Sequence, residues 1–165
     1  MRQIKVISLS LIILSTVVLL FSLLIPNHSK VSRAITINKP KAAIKTELAQ
    51  LPNWKQWHPF LKINNSKVAT VNTISDTAIQ INNYTFSLIS ATDSSLQFLA
   101  KNPNGETMPS TINLYAVGDS CIVNWYSSVT VNWYPWEKLR TIFYDNIYGP
   151  ALDSNLVSFK RYMEK

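Results

Sequence analysis

The stretch Cys121-Ile122-Val123-Asn124-Trp125-Tyr126-Ser127-Ser128-Val129-Thr130-Val131-Asn132-Trp133, with the change of period after Pro135, decides the fold of this chain. Within it Cys121, Val123, Trp125, Ser127, Val129 and Val131 alternate with Ile122, Asn124, Tyr126, Ser128, Thr130 and Asn132. Successive side chains of a strand point to opposite faces, so the first and more apolar set is expected to face inward. Beyond Pro135, Leu139, Ile142, Phe143 and Ile147, then Leu152, Leu156, Phe159 and Met163, recur at helical spacing. Gly149-Pro150 lies between the two groups. It predicts a kinked helix or two helices end to end, because proline lacks a donor and clashes with the preceding turn.

Working backward, strands are expected near Lys67–Ser75, Thr77–Thr92, Ser95–Lys101 and Thr111–Val117. Asp93-Ser94-Ser95, Asn102-Pro103-Asn104-Gly105 and Gly118-Asp119 supply hairpin-like turn chemistry between them. Residues 26–33 read as a short polar linker. Val31, Arg33, Ile35 and Ile37 then alternate with Ser32, Ala34, Thr36 and Asn38, which predicts a first strand with one buried face. From Lys41, the residues Ala43, Ile44, Leu48 and Leu51 fall at helical spacing until Pro52. Asn53-Trp54-Lys55-Gln56-Trp57-His58-Pro59-Phe60 follows, an aromatic turn whose two Trp, three apart, share one face and are expected to plug one end of the core. Strand, helices, meander and a long last helix make an α+β order. A curved antiparallel sheet wrapped around the C-terminal helix would bury both apolar faces.

The leading segment is of another kind. Val6 to Ile25 carries no charge, with Arg2 and Lys5 before it and Pro26-Asn27 after it. A helix of that length spans about 30 Å, the hydrocarbon thickness of a bilayer. A secretory signal would have a shorter apolar centre and a small-x-small cleavage site, whereas here Leu23-Leu24-Ile25-Pro26-Asn27-His28 follows. The expectation is a single-pass membrane anchor with its flanks over residues 1–28 and a folded domain over 29–165, with a long signal peptide as the alternative. Lys and Arg flank both ends, so the positive-inside rule leaves both orientations open.

Composition removes several classes of function. The chain has 165 residues and a net charge of +7, but its basic residues are scattered apart from a cluster between Lys30 and Lys45. That cluster could meet anionic lipid or simply be solvated surface. A basic stripe interleaved with exposed aromatics, as nucleic-acid binding requires, is missing, so no nucleic-acid partner is expected. With one Cys and two His, neither a disulfide nor a metal site is expected. Three Gly exclude a Gly-rich phosphate loop, and no cofactor is expected.

Three local patterns resemble the START-like helix-grip superfamily known as SRPBCC, and within it the polyketide cyclase/dehydrase-like, membrane-anchored group. Ser32-Arg33-Ala34-Ile35-Thr36-Ile37-Asn38-Lys39-Pro40 is similar to an R-x-I-x-I-x-x-P opening. Leu51-Pro52-Asn53-Trp54-Lys55-Gln56-Trp57-His58-Pro59-Phe60 is similar to an L-x-N-W-x-x-W-x-P turn, and Tyr148-Gly149-Pro150 with Leu152, Leu156 and Phe159-Lys160 resembles the closing helix. The polar, Gly-poor middle strands depart from the family's pattern. The resemblance implies a hydrophobic cavity between sheet and C-terminal helix, which across the superfamily serves lipids, sterols and polyketides. A fold of this kind hosts catalysts and carriers alike.

The expected ligand is therefore a hydrophobic or amphipathic small molecule or lipid, with Trp57, Phe60, Phe86, Phe98, Trp125 and Phe143 as candidate cavity residues. Trp54 and Phe159 add to the same aromatic load. For an enzyme of the cyclase or dehydratase kind, His58 and Asp145 are the acid–base candidates; they stand without a visible partner group, so a binding domain is the preferred expectation. A protein-interaction domain with its interior filled by side chains is the third. His28 reads as a solvated linker residue, and Cys121 as core.

Overall fold

The structure is a computed structural model, and it describes residues 2–59, 71–81 and 83–165. Helix α1 (Arg2–Leu24) leads into strand β1 (His28–Ile37), then helix α2 (Lys41–Ala49), a 3-10 turn (Leu51–Asn53) and the one-turn helix α3 (Trp54–Trp57). A meander follows: β2 (Val71–Ser75), β3 (Ala78–Ile81), β4 (Tyr84–Ala91), β5 (Ser95–Lys101), β6 (Thr107–Val117) and β7 (Ser120–Thr130). Helices α4 (Pro135–Thr141) and α5 (Tyr144–Met163) close the chain. This is the expected α+β, helix-grip arrangement.

Among the described residues the seven strands form one antiparallel sheet in the order β1-β7-β6-β5-β4-β3-β2. The first strand therefore closes against the last. Register shifts between Thr73 and Ser75 and between Leu88 and Ser90 interrupt the ladders; such bulges bend a strand and increase its twist. At the β6–β7 turn Gly118 has φ 57°, a conformation that glycine adopts without a Cβ penalty. The inner face is lined by Val31, Ile37, Ile79, Ile81, Leu96, Phe98, Ile112, Leu114, Cys121, Val123 and Trp125, all buried. The inward set expected in β7 is the observed one as far as Ser127. Cys121 is fully buried, and burial pushes its thiol pKa up.

Several boundaries differ from expectation. The polar linker shrinks to residues 25–27, because His28 already pairs with Thr130. The single strand expected over Thr77–Thr92 is two, β3 and β4, with Ile81 paired to Tyr84. Positions 67–70 of the expected second strand lie outside the described residues. Strand β7 stops at Thr130 rather than Trp133.

The C-terminal helices also differ. The break falls at Ile142-Phe143, and α5 runs on through Gly149-Pro150. Pro150 sits on the exposed side, where water can take up the carbonyl its ring leaves unbonded. An unbroken helix ties the two apolar groups into one phase. Phe143 lies nine positions before Leu152, about two and a half turns, and so faces the other way. It is 58% exposed, with Ile142 and Ile147 similarly out, while Tyr144, Leu152, Leu156 and Phe159 are buried. Phe143 is thus corrected from an interior to an outer position.

Candidate functional site

The site expected from sequence begins at α3. Proline at Pro52 starts the 3-10 turn, and the Trp54 carbonyl accepts from the His58 backbone amide at 2.7 Å, which closes the single turn that follows. Spacing of three places both Trp54 and Trp57 on the inner side, where each is essentially inaccessible. Trp54 Nε1 donates to the Leu48 carbonyl at 3.1 Å. Its ring is the hub of a cluster: centroids of Phe98, Trp57, His58, Trp125 and Phe86 lie at 5.1, 5.2, 5.6, 5.7 and 6.4 Å. Helix α5 closes the cluster, with the Phe159 ring 4.7 Å from Trp57 and Ser158 Oγ donating to the Trp57 carbonyl.

The structure thus brings together Trp57, Phe86, Phe98 and Trp125, together with His58, around Trp54. Phe60 lies outside the described residues. Phe143 and Asp145 sit elsewhere, on α5. Two indole donors in the cluster, Trp57 Nε1 and Trp125 Nε1, are buried with no hydrogen-bond acceptor among the described residues. A buried N–H left unmatched costs about 1–3 kcal/mol, so each of the two marks a point where an acceptor would be stabilising. Further polar groups lie on the inner face, where the buried Ser110 and Ser127 hydroxyls share a hydrogen bond of 2.6 Å.

Burial of the His58 imidazole lowers its pKa to about 4, so it is neutral at pH 7. Asp145 belongs to a different arrangement. Arg33 reaches from β1 across α5 and donates to both Asp145 oxygens at 2.9 and 3.0 Å and to Asp153 Oδ2 at 3.1 Å. Those hydrogen bonds hold the Asp145 carboxyl below its ordinary pKa and the Arg33 guanidinium above its own. Gly149, midway between the two aspartates, makes room for the clamp: a Cβ there would stand 2.2 Å from Arg33 Nη2. Periodicity placed Arg33 inward but carried no hint of a helix-spanning ion pair. The basic stretch Lys30–Lys45 likewise disperses, Lys30 lying over the Tyr126 ring while Lys41 and Lys45 pair with Asp93.

Among the described residues no group of three or more His, Cys, Asp or Glu could hold a metal ion. Helix α1 contains one segment, Gln3–Leu24, long and apolar enough by length and composition to cross a membrane.

No family model and no curated protein sequence matches the chain. Solved structures do. Truncated norcoclaurine synthase from Thalictrum flavum is 16% identical with a TM-score of 0.61, over 82% of this chain and 92% of that one. The di-domain ARO/CYC StfQ of the steffimycin biosynthetic pathway is 6% identical with a TM-score of 0.60, over 83% of this chain and 51% of the other. A START superfamily protein from Mycobacterium smegmatis is 13% identical with a TM-score of 0.54, over 82% and 97%. At such identities the likeness concerns the fold. The chain has the START-like helix-grip fold.

Proposed function

We propose that residues 29–165 are a binding domain for a hydrophobic or amphipathic small molecule, held between the sheet and α5 and tethered to a membrane by the helix within residues 1–28. The observation that carries this reading is the pair of buried indole donors, Trp57 Nε1 and Trp125 Nε1, without acceptors among the described residues. Around them Phe86 and Phe98 offer apolar surface. A ligand with one or two acceptor oxygens on a hydrocarbon body would satisfy both features, the usual pattern of a small-molecule site. Phe60 belongs to the proposed lining by its place in sequence, and Phe143 is withdrawn from it.

The tether reading rests on α1, whose apolar side chains are exposed along its length, Leu24 reaching 80%. A soluble core helix would bury that face. Holding the domain at a bilayer would raise the local concentration of any ligand dissolved there.

An acid–base enzyme has less support. His58 is neutral and enclosed, and Asp145 is engaged by Arg33. Native mass spectrometry of the full chain released from lipid nanodiscs tests the binding reading. A stoichiometric lipid-like adduct, weakened in Trp57→Phe/Trp125→Phe, is the expected result. An empty wild-type chain at every lipid loading would overturn it.

A further inference from the structure

Only residues 25–27 separate α1 from β1, a reach of about 10 Å at most. The end of the sheet where His28 pairs with Thr130 is therefore held at the foot of α1, and the Val131 amide donates to the Asn27 carbonyl at 2.8 Å. From there the chain runs through Trp133-Tyr134 into α4, which packs on α1. Lys138 Nζ donates to the Ser22 carbonyl at 3.3 Å, and Ser22 is buried in that contact. This same foot carries the largest exposed rings among the described residues, Trp133 at 70% and Trp136 at 66%, and the exposed Ile142 and Phe143 directly follow α4 in the chain. The Tyr134 ring lies 5.0 Å from each of the two Trp, stacked on Trp136 and tilted by 34° against Trp133.

Tryptophan and tyrosine with one apolar and one polar end concentrate at the headgroup level of bilayers. The charges nearby suit that level too. Lys138 and Arg140 lie on α4, and Glu137 is occupied by accepting from the Asn132 amide at 2.8 Å.

We propose that Trp133, Tyr134, Trp136 and Phe143 form an interfacial seat that rests the domain on the lipid surface beside α1. The inference rests on the tether reading, since it is the foot of a spanning α1 that lies at the headgroups. The seat fixes which end of the domain faces lipid, and it would keep the inner face of the sheet a short distance from the bilayer.

The test uses the full chain in phosphatidylcholine vesicles, with tryptophan emission read against phosphatidylcholines brominated at successive depths. Trp54, Trp57 and Trp125 are buried, so any lipid-quenched emission belongs to Trp133 and Trp136. Quenching of about twofold by the shallowest bromines, lost in Trp133→Phe/Trp136→Phe, supports the seat. A chain that resists alkaline carbonate extraction while its emission stays unquenched overturns the seat and leaves the tether standing. If carbonate strips the chain from vesicles, the tether fails, and quenching of the vesicle-bound chain before extraction still decides the seat. Rings protected in a dimer of the chain, seen as doubled mass with no quenching, also overturn it.

Discussion

Two aromatic groups of nearly the same composition occupy opposite environments in this molecule. Around Trp54 the rings of Trp57, Phe98 and Trp125 are buried and inclined to its plane; around Tyr134 those of Trp133, tilted, and Trp136, stacked, are exposed. Each group has rings beside a proline that opens a short helical turn, Trp54 and Trp57 after Pro52, Tyr134 and Trp136 on either side of Pro135. The difference teaches that an aromatic-rich turn declares a large apolar area but not the medium that covers it. In the first case the sheet and α5 cover the rings. In the second the foot of α1 does not, and we assign that role to lipid.

The sharpest way to test the contrast is to truncate each hub. Trp54→Ala should destabilise the domain by about 4 kcal/mol, the range for emptying a fully buried Trp site. Denaturant unfolding in detergent measures it, and a loss under 1 kcal/mol would mean the cluster is not the core it looks to be.

Next in size is the pH response of the inner group. His58 has an ordinary pKa of 6.5, lowered to about 4 in the fold by burial. Its contribution to stability is complete above 6.5, falls as pH drops through 4 and then levels, about 3 kcal/mol in total. Unfolding curves across that window should show the slope in wild type and lose most of it in His58→Gln; equal slopes in both would refute the assignment.

A smaller effect concerns the polar pair within the inner face. Ser127→Ala strands the buried Ser110 hydroxyl and should cost about 1–2 kcal/mol, while Ser110→Ala/Ser127→Ala should recover most of it. The same titration measures both variants, and additive losses would contradict the pairing. At the bottom of the scale stand Trp133→Ala and Trp136→Ala, expected within about 0.5 kcal/mol of wild type because both rings are about two-thirds exposed and, among the described aromatic rings, touch only that of Tyr134. A large loss at either would show that the outer group is structural after all.

Much of the fold was legible in the residues. The alternation over Val31–Ile37 and over Cys121–Ser127 placed two strands and their buried faces, and Leu152, Leu156 and Phe159 marked the inner stripe of α5. Where a face is half polar the reading failed, as in Thr77–Thr92, because the boundary between β3 and β4 falls in a polar run that leaves no break in hydrophobic period. The aromatic cluster was legible in part. Trp57, Phe86, Phe98 and Trp125 do converge, yet Trp54, expected only to help plug one end of the core, is the hub, since centrality is a property of neighbours. Phe143 was misjudged because the assumed break at Gly149-Pro150 freed its helical phase from that of Leu152. The Arg33 clamp joins residues 112 positions apart in sequence, a separation that no local pattern bridges.

By itself the sequence determined the elements, the inward faces of the clearly alternating strands and the apolar leading helix, since all of these follow from local periodicity and composition. Tertiary structure alone decided which aromatics share a centre, which stand in the open, and that a single arginine would span α5 at its glycine. Those outcomes depend on how strands and helices far apart in the chain meet, and on the solvent left outside when they do.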